Sequence, residues 1–201
     1  MAAVSAVADA AHAPTAGERP QLQVVPLKGL PIVALVLAGV VVAIGRDARW
    51  GLVFCHVVGG GLWTAIDLFV GFVVGPIIGR MSIPARIEFS TRCMPKMLLL
   101  MPTIVTMTLA AGFQLARQDA FLDTSNPRHA WVVASICVVG VIAVIALAYL
   151  EPANVAVLFE LKKPQPDGRV IEKLMKRFVY TAGITGVMQV ATLVIMTRLV
   201  S

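Results

Sequence analysis

The chain has 201 residues, 58% of them hydrophobic and 14% charged, with a mean hydropathy of +0.86. Soluble domains carry about a quarter charged residues, so no ordinary globular core accommodates this composition and the solvent for most of the chain is lipid. The net charge of +6 does not mark a nucleic-acid partner, because the basic residues lie in short segments beside apolar runs rather than on an aromatic-rich basic surface.

Residues 1–28, "MAAVSAVADAAHAPTAGERPQLQVVPLK", have neither the basic start nor the continuous apolar run of a signal peptide. They read as a flexible tail rich in Ala and Pro, with His12 solvated. Residues 29–201 form the membrane domain. Its first apolar segment, 29–45, is just long enough to cross at ~1.5 Å per residue. A re-entrant or interfacial path for this segment, leaving four spans, is the alternative. The second segment runs from Gly51 to Ile78, the third from Met97 to Ala116, the fourth from Ala130 to Leu150 and the fifth from Phe178 to Val200. The expected fold class is all-α, a polytopic transmembrane bundle of five spans.

Two loops on one side hold most of the charge. With the tail (Arg19, Lys28), the loop around 80–96 (Arg80, Arg86, Arg92, Lys96) and the loop 151–177 (Lys162, Lys163, Arg169, Lys173, Lys176, Arg177) place twelve basic residues together. The other side has five: Arg46, Arg49, Arg117, Arg128 and Arg198. The positive-inside rule then puts the N-terminus in the cytoplasm and the C-terminus outside a cell inner membrane. Trp50 and Trp131 mark the outer boundary, and Tyr149 and Tyr180 the inner one. Within 151–177, "EPANVAVLFELKK" either continues the fourth helix past a kink at Pro152 or lies along the lipid surface. "PQPDG" is a turn and "VIEKLMKRF" starts the last helix. The basic residues here suit anionic lipid headgroups.

The second segment is the unusual one. His56 lies near its outer end and Asp67 near the bilayer midplane, eleven residues or almost three turns apart, so both point the same way. Gly60, Trp63 and Gly71 share that stripe, which therefore faces protein, since small residues let helices approach closely. An unpaired carboxylate at mid-membrane is unfavourable, and no Lys or Arg lies at comparable depth. Thr106 and Thr108 on the third helix and Gln189 on the fifth are at that level. The cluster either fixes packing, carries protons or ions, or contacts a ligand.

His129 in "NPRHAW" begins the fourth helix on the same outer side as His56. Two imidazoles at similar depth are the arrangement that haem b or a copper ion uses, with His56 the first metal ligand and His129 a second cofactor-binding residue. The bland alternative leaves both merely hydrogen-bonded to neighbouring segments. "GGG" at 59–61 has no strand before it and no Lys, so it serves close helix packing and not phosphate binding. Pro102 is expected to bend the third helix. Met94, Met97, Met101 and Met107 are spread in depth and read as core. Cys55, Cys93 and Cys137 form no metal or disulfide motif. No hydrolytic triad, carboxylate pair or Walker loop occurs.

The runs "HVVGGGLWTAIDLFVGFVVGP", "ARIEFSTRCMPKMLLLMPT", "LAAGFQLA" and "ELKKPQPDGRVIEKLMKRFVYTAGITGVMQVATLVIM" resemble an uncharacterised family of small bacterial integral membrane proteins, over most of residues 51–198. The order of histidine, small residues and aromatic around His56 is also similar to copper-resistance protein D and the membrane-bound protoporphyrinogen oxidase family. That resemblance implies copper or haem handling with His56 as ligand. Three functions follow from the residues: a redox or metal-handling protein with haem or copper at its outer half; a non-catalytic accessory or assembly subunit with protein partners in the membrane; and a small transporter or proton pathway through Asp67.

Overall fold

The computed structural model describes residues 24–200, and among them every regular element is helical. His12 and residues 1–23 of the tail lie outside the described residues. A short 3₁₀ turn, Leu27–Gly29, leads into α1 (Leu30–Gly45); α2 spans Arg49–Arg80, α3 Ile83–Gln118, α4 His129–Leu161 and α5 Gly168–Val200. All five are long and apolar enough to cross a bilayer, the first included. The protein is an all-α, multi-pass membrane bundle. Helices α2 and α3 pack along each other, α5 packs on α2 and α4, and the lower half of α4 packs on α3. α1 lies at the edge, on α2 and α3, and buries only Val40 and Ala43.

The helices extend well beyond the apolar segments. The expected loop at 80–96 shrinks to a turn at Met81 and Ser82, after which α3 runs unbroken for 36 residues, about 54 Å. Pro84 sits in its first turn, where the missing N–H costs nothing. Likewise "EPANVAVLFEL" continues α4, and only 162–167 separate it from α5. Charged residues placed in loops by composition thus lie on helices, free to be buried by a neighbour. Arg86 is.

Two of the proline sites have a common solution. In α2 the register slips to a π turn over Val70–Val74, just before Gly75–Pro76. In α4 it slips over Ala146–Leu150, just before Glu151–Pro152. A proline inside a helix removes one N–H and crowds the carbonyl four residues earlier, at a cost of about 3 kcal/mol; widening the preceding turn moves that carbonyl away. At Pro152 the carbonyl concerned is that of Ala148, and Arg177 Nη2 donates to it at 3.2 Å while the guanidinium lies 5.0 Å from the Tyr149 ring. Pro95 and Pro102 in α3 are instead carried within continuous α-helix.

Three apolar cores stack through the bundle. The face bearing the α2–α3 and α4–α5 turns, here the basic face, is built on Met94, Val157, Ile171, Met175 and Phe178. At mid-depth lie Trp63, Met101, Ile104 and Ile142. Toward the opposite face, here the histidine face, only Ala43, Leu52 and Ala111 form the core. Close approach is set by glycine at two levels. A side chain at Gly71 would run into the Gly183 backbone, and one at Gly59 into the Thr108 hydroxyl. Of the three consecutive glycines only Gly59 is crowded; Gly61 faces open space.

Candidate functional site

Asp67 sits in the interior at 4% exposure, between the Trp63 level one turn above and Val70 below. Its Oδ2 accepts two hydrogen bonds from α5, from Gln189 Nε2 at 2.7 Å and from Thr185 Oγ at 3.0 Å. Both donors are themselves buried. Among the described residues no ion pair reaches Asp67. Its partners are neutral.

Both partners can also reverse their roles. The single hydroxyl proton of Thr185 has three acceptors in range: Asp67 Oδ2, the Ala182 carbonyl at 3.0 Å and the Thr181 carbonyl at 3.1 Å. Given to the helix, that proton leaves the hydroxyl oxygen to accept from a carboxylic acid. Gln189 Oε1 is buried without a partner, and half a turn of the amide exchanges donor for acceptor. The pair therefore satisfies either protonation state of Asp67. A Lys or Arg could satisfy only one.

The expected cluster is realised in part. Gln189 meets Asp67 as the matched depth implied. Thr106 does not, because it lies on the exposed side of α3. Thr108 is buried but donates to its own helix, to Ile104 O at 2.8 Å, and packs on Gly59. Thr185 supplies the second partner. It had a signal, since it lies four residues before Gln189 and shares its face.

His56 and His129 are each tied to a backbone carbonyl. His56 Nδ1 is 2.9 Å from Thr108 O, with its ring laid against Gly112, where no side chain stands in the way. His129 Nδ1 is 3.1 Å from Phe121 O. A carbonyl only accepts, so each Nδ1 carries the proton. Phe121 N–H bonds Ala116 O, eight residues beyond Thr108, so the anchor of His129 lies about 12 Å further along α3 than that of His56. A bis-histidine haem requires its ligating nitrogens ~4 Å apart, twice a ~2 Å metal–nitrogen bond, and the two imidazoles are instead anchored at different levels of α3. No group of three His, Cys, Asp or Glu that could hold a metal ion occurs among the described residues. The structure thus gives no support to a haem or copper centre at His56 and His129.

Near the basic face a further polar group was not anticipated. Arg86, 5% exposed, donates through Nε to Ile78 O at 3.3 Å and through Nη2 to Met81 O at 3.2 Å. These carbonyls end α2, so Arg86 caps it. Its Nη1 lies 2.9 Å from Glu172 Oε2, an ion contact without hydrogen-bond geometry, and Glu172 also holds Lys176 at 2.8 Å. Only the turn at 81–82 being so short carries Arg86 back under the bundle.

A five-span helical membrane protein with a buried carboxyl group, Asp67, bridging two helices is the class these features define. Comparison with family models, curated proteins and solved structures finds no match to the chain.

Proposed function

We propose that this is a small bacterial inner-membrane transport protein whose Asp67 takes up and releases a proton. The observation that carries the reading is the neutral, reversible pair of partners, Gln189 and Thr185, on one buried carboxyl group. A charge in hydrocarbon is costly, and intramembrane carboxyl groups mark proton and ion paths more often than they serve packing alone. A calcium-like cation takes about six to eight oxygens, whereas the side chains bonded to Asp67 from α5 are Gln189 and Thr185. A proton wants one. The π turn starting three residues below Asp67 supports the same reading, since such turns gather at functional sites. With the twelve-to-five charge split, the basic face is read as cytoplasmic, the N-terminus inside and the C-terminus outside.

Purified protein in liposomes, under an imposed potassium-diffusion potential and with an internal pH dye, provides the test. Wild type should acidify or alkalinise the lumen according to the sign of the potential. Asp67→Asn, which keeps the size and one acceptor, should lose that flux while retaining its helical circular dichroism. Equal flux from the two proteins would remove the proton from the account and leave a packing cluster, as in an accessory subunit.

A further inference from the structure

The two routes from Asp67 to the membrane faces are unequal. Toward the histidine face the way is filled by Trp63, Met101, Ile104 and Ile142, a dry apolar layer. Toward the basic face, α2 and α5 enclose a cleft of about 230 Å³. Gly71, Gly75 and Gly79 form its α2 wall, Met175 and Val179 its α5 wall, and Arg86, Glu172 and Lys176 its charged mouth. Gly71 is one turn below Asp67 on the same stripe, so the cleft ends about 6 Å from the carboxyl group along the helix. Between the mouth and Asp67 the two helices close twice, with the Val179 side chain against Gly75 and, deeper, the Gly71 backbone against that of Gly183.

We propose that this cleft is a water-filled access path from the basic face to Asp67, with the Gly71–Gly183 contact as its inner barrier. The inference rests on the reading of Asp67 as the proton-carrying group. A volume of 230 Å³ holds several waters at about 30 Å³ each, and a cleft with three ionised groups at its mouth has polar partners for them. Arg86 and Lys176 are positive and Glu172 negative, which leaves one positive charge in excess. The step served is a proton transfer: hydronium gives one proton to the Asp67 carboxylate, leaving water and the carboxylic acid, whose hydroxyl then donates to Gln189 Oε1 or Thr185 Oγ. Glycines suit the barrier because at the Gly71–Gly183 level α2 and α5 meet backbone to backbone, with Val179 seated on Gly75 a turn below and Leu68 on Gly186 a turn above. The charged groups facing the path are Arg86 from α3 and Glu172 and Lys176 from α5; α2 contributes none to the lining.

The alternative filling is an acyl chain, and thiol labelling separates the two. In full-length protein with Cys55, Cys93 and Cys137 replaced by Ala, single cysteines are placed at Val179 in the cleft and at Phe72, which is exposed at the Gly71 level outside it. Membranes are treated on the basic face with 2-sulfonatoethyl methanethiosulfonate, an anion that does not cross lipid. Thiolate is the reacting form, and apolar burial suppresses it, so Val179→Cys should react on the order of ten-fold faster than Phe72→Cys, as a one-unit difference in thiol pKa implies. Gly79→Cys, in open space at the mouth, shows that reagent reached the correct face. Equal, slow labelling of Val179→Cys and Phe72→Cys beside a reactive Gly79→Cys would mean a lipid-filled groove and would overturn the proposal. Fast labelling at Val179 with no proton flux in wild type would keep the wet cleft and refute only the role of Asp67. Gly183→Ala places its Cβ 3.4 Å from Gly71 Cα and should slow flux several-fold with Val179 labelling unchanged; unaltered flux would place the barrier elsewhere.

Discussion

His56 and Asp67 lie on one stripe of one helix, yet the bundle treats them in opposite ways. His56 finds a backbone carbonyl, Thr108 O, and a glycine to lie against. Asp67 finds two side chains on another helix that exchange donor and acceptor roles. A backbone carbonyl has one role and cannot leave its helix, so it fixes the imidazole proton on Nδ1 and orients the ring. Hydroxyl and amide groups rotate. The comparison teaches that a polar residue in a membrane helix is read by the freedom of its partners as much as by its own chemistry.

The largest effect outside transport is expected at Gln189. Gln189→Leu removes the 2.7 Å donor and leaves Asp67 with Thr185 and the Trp63 indole, a loss of roughly 1–2 kcal/mol, near the upper end for interhelical hydrogen bonds in membranes. Thermal unfolding in detergent should show it, and Gln189→Glu, which can share a proton with Asp67, should recover part of it at low pH. A Gln189→Leu protein as stable as wild type would mean that the interhelical bond contributes nothing to holding α2 against α5.

Next comes the contrasting site. A Cβ at Gly112 would come within 2.5 Å of His56 Cε1 and Nδ1. Gly112→Ala should therefore swing the ring off Thr108 O and cost about 1 kcal/mol, the low end for overpacking. In nitrogen NMR the His56 tautomer should lose its Nδ1–H preference, while proton flux through Asp67 stays near wild type. A large flux defect from Gly112→Ala would join the two regions into one path.

A smaller difference separates the neighbouring threonines. Thr108→Val loses a bond to Ile104 O in a buried position and should cost about 0.5–1 kcal/mol. Thr106→Val, on the exposed side of α3, should change stability by no more than about 0.5 kcal/mol. The reverse order would place Thr106 inside the bundle.

The smallest effect is in the exposed α3–α4 turn. Asp123 Oδ1 accepts the Ser125 N–H at 2.9 Å, and this bond, aided by the Ser125 side chain, holds the carboxyl below its ordinary value. With a lowered folded value, the contribution to stability is present above the unfolded pKa of about 3.9 and is lost as pH falls through the folded one. Exchange of the Ser125 amide should accelerate in that acid range, and Asp123→Ala should show the faster exchange already at neutral pH.

Composition and hydrophobic run length alone determined that this chain crosses a membrane five times as helices, because lipid leaves no other way to satisfy backbone polar groups over such runs. They also placed Asp67 and Gln189 at one depth, since helical rise is constant. Depth is a one-dimensional quantity. Which face of each helix meets which neighbour depends on packing angles that no single helix encodes, so Thr106 and Thr108 could not be separated from Thr185, nor His56 brought to or kept from His129. The basic segment at 80–96 misled for a related reason: charge suggested loop, while the helix continues there against its neighbours; for 151–161 the helical continuation past Pro152 was one of the two paths the sequence left open. Arg86 became a buried cap on α2 through the short turn at 81–82, and the cleft below Asp67 came into being only when the glycines of α2 met α5, a contact between residues more than a hundred positions apart.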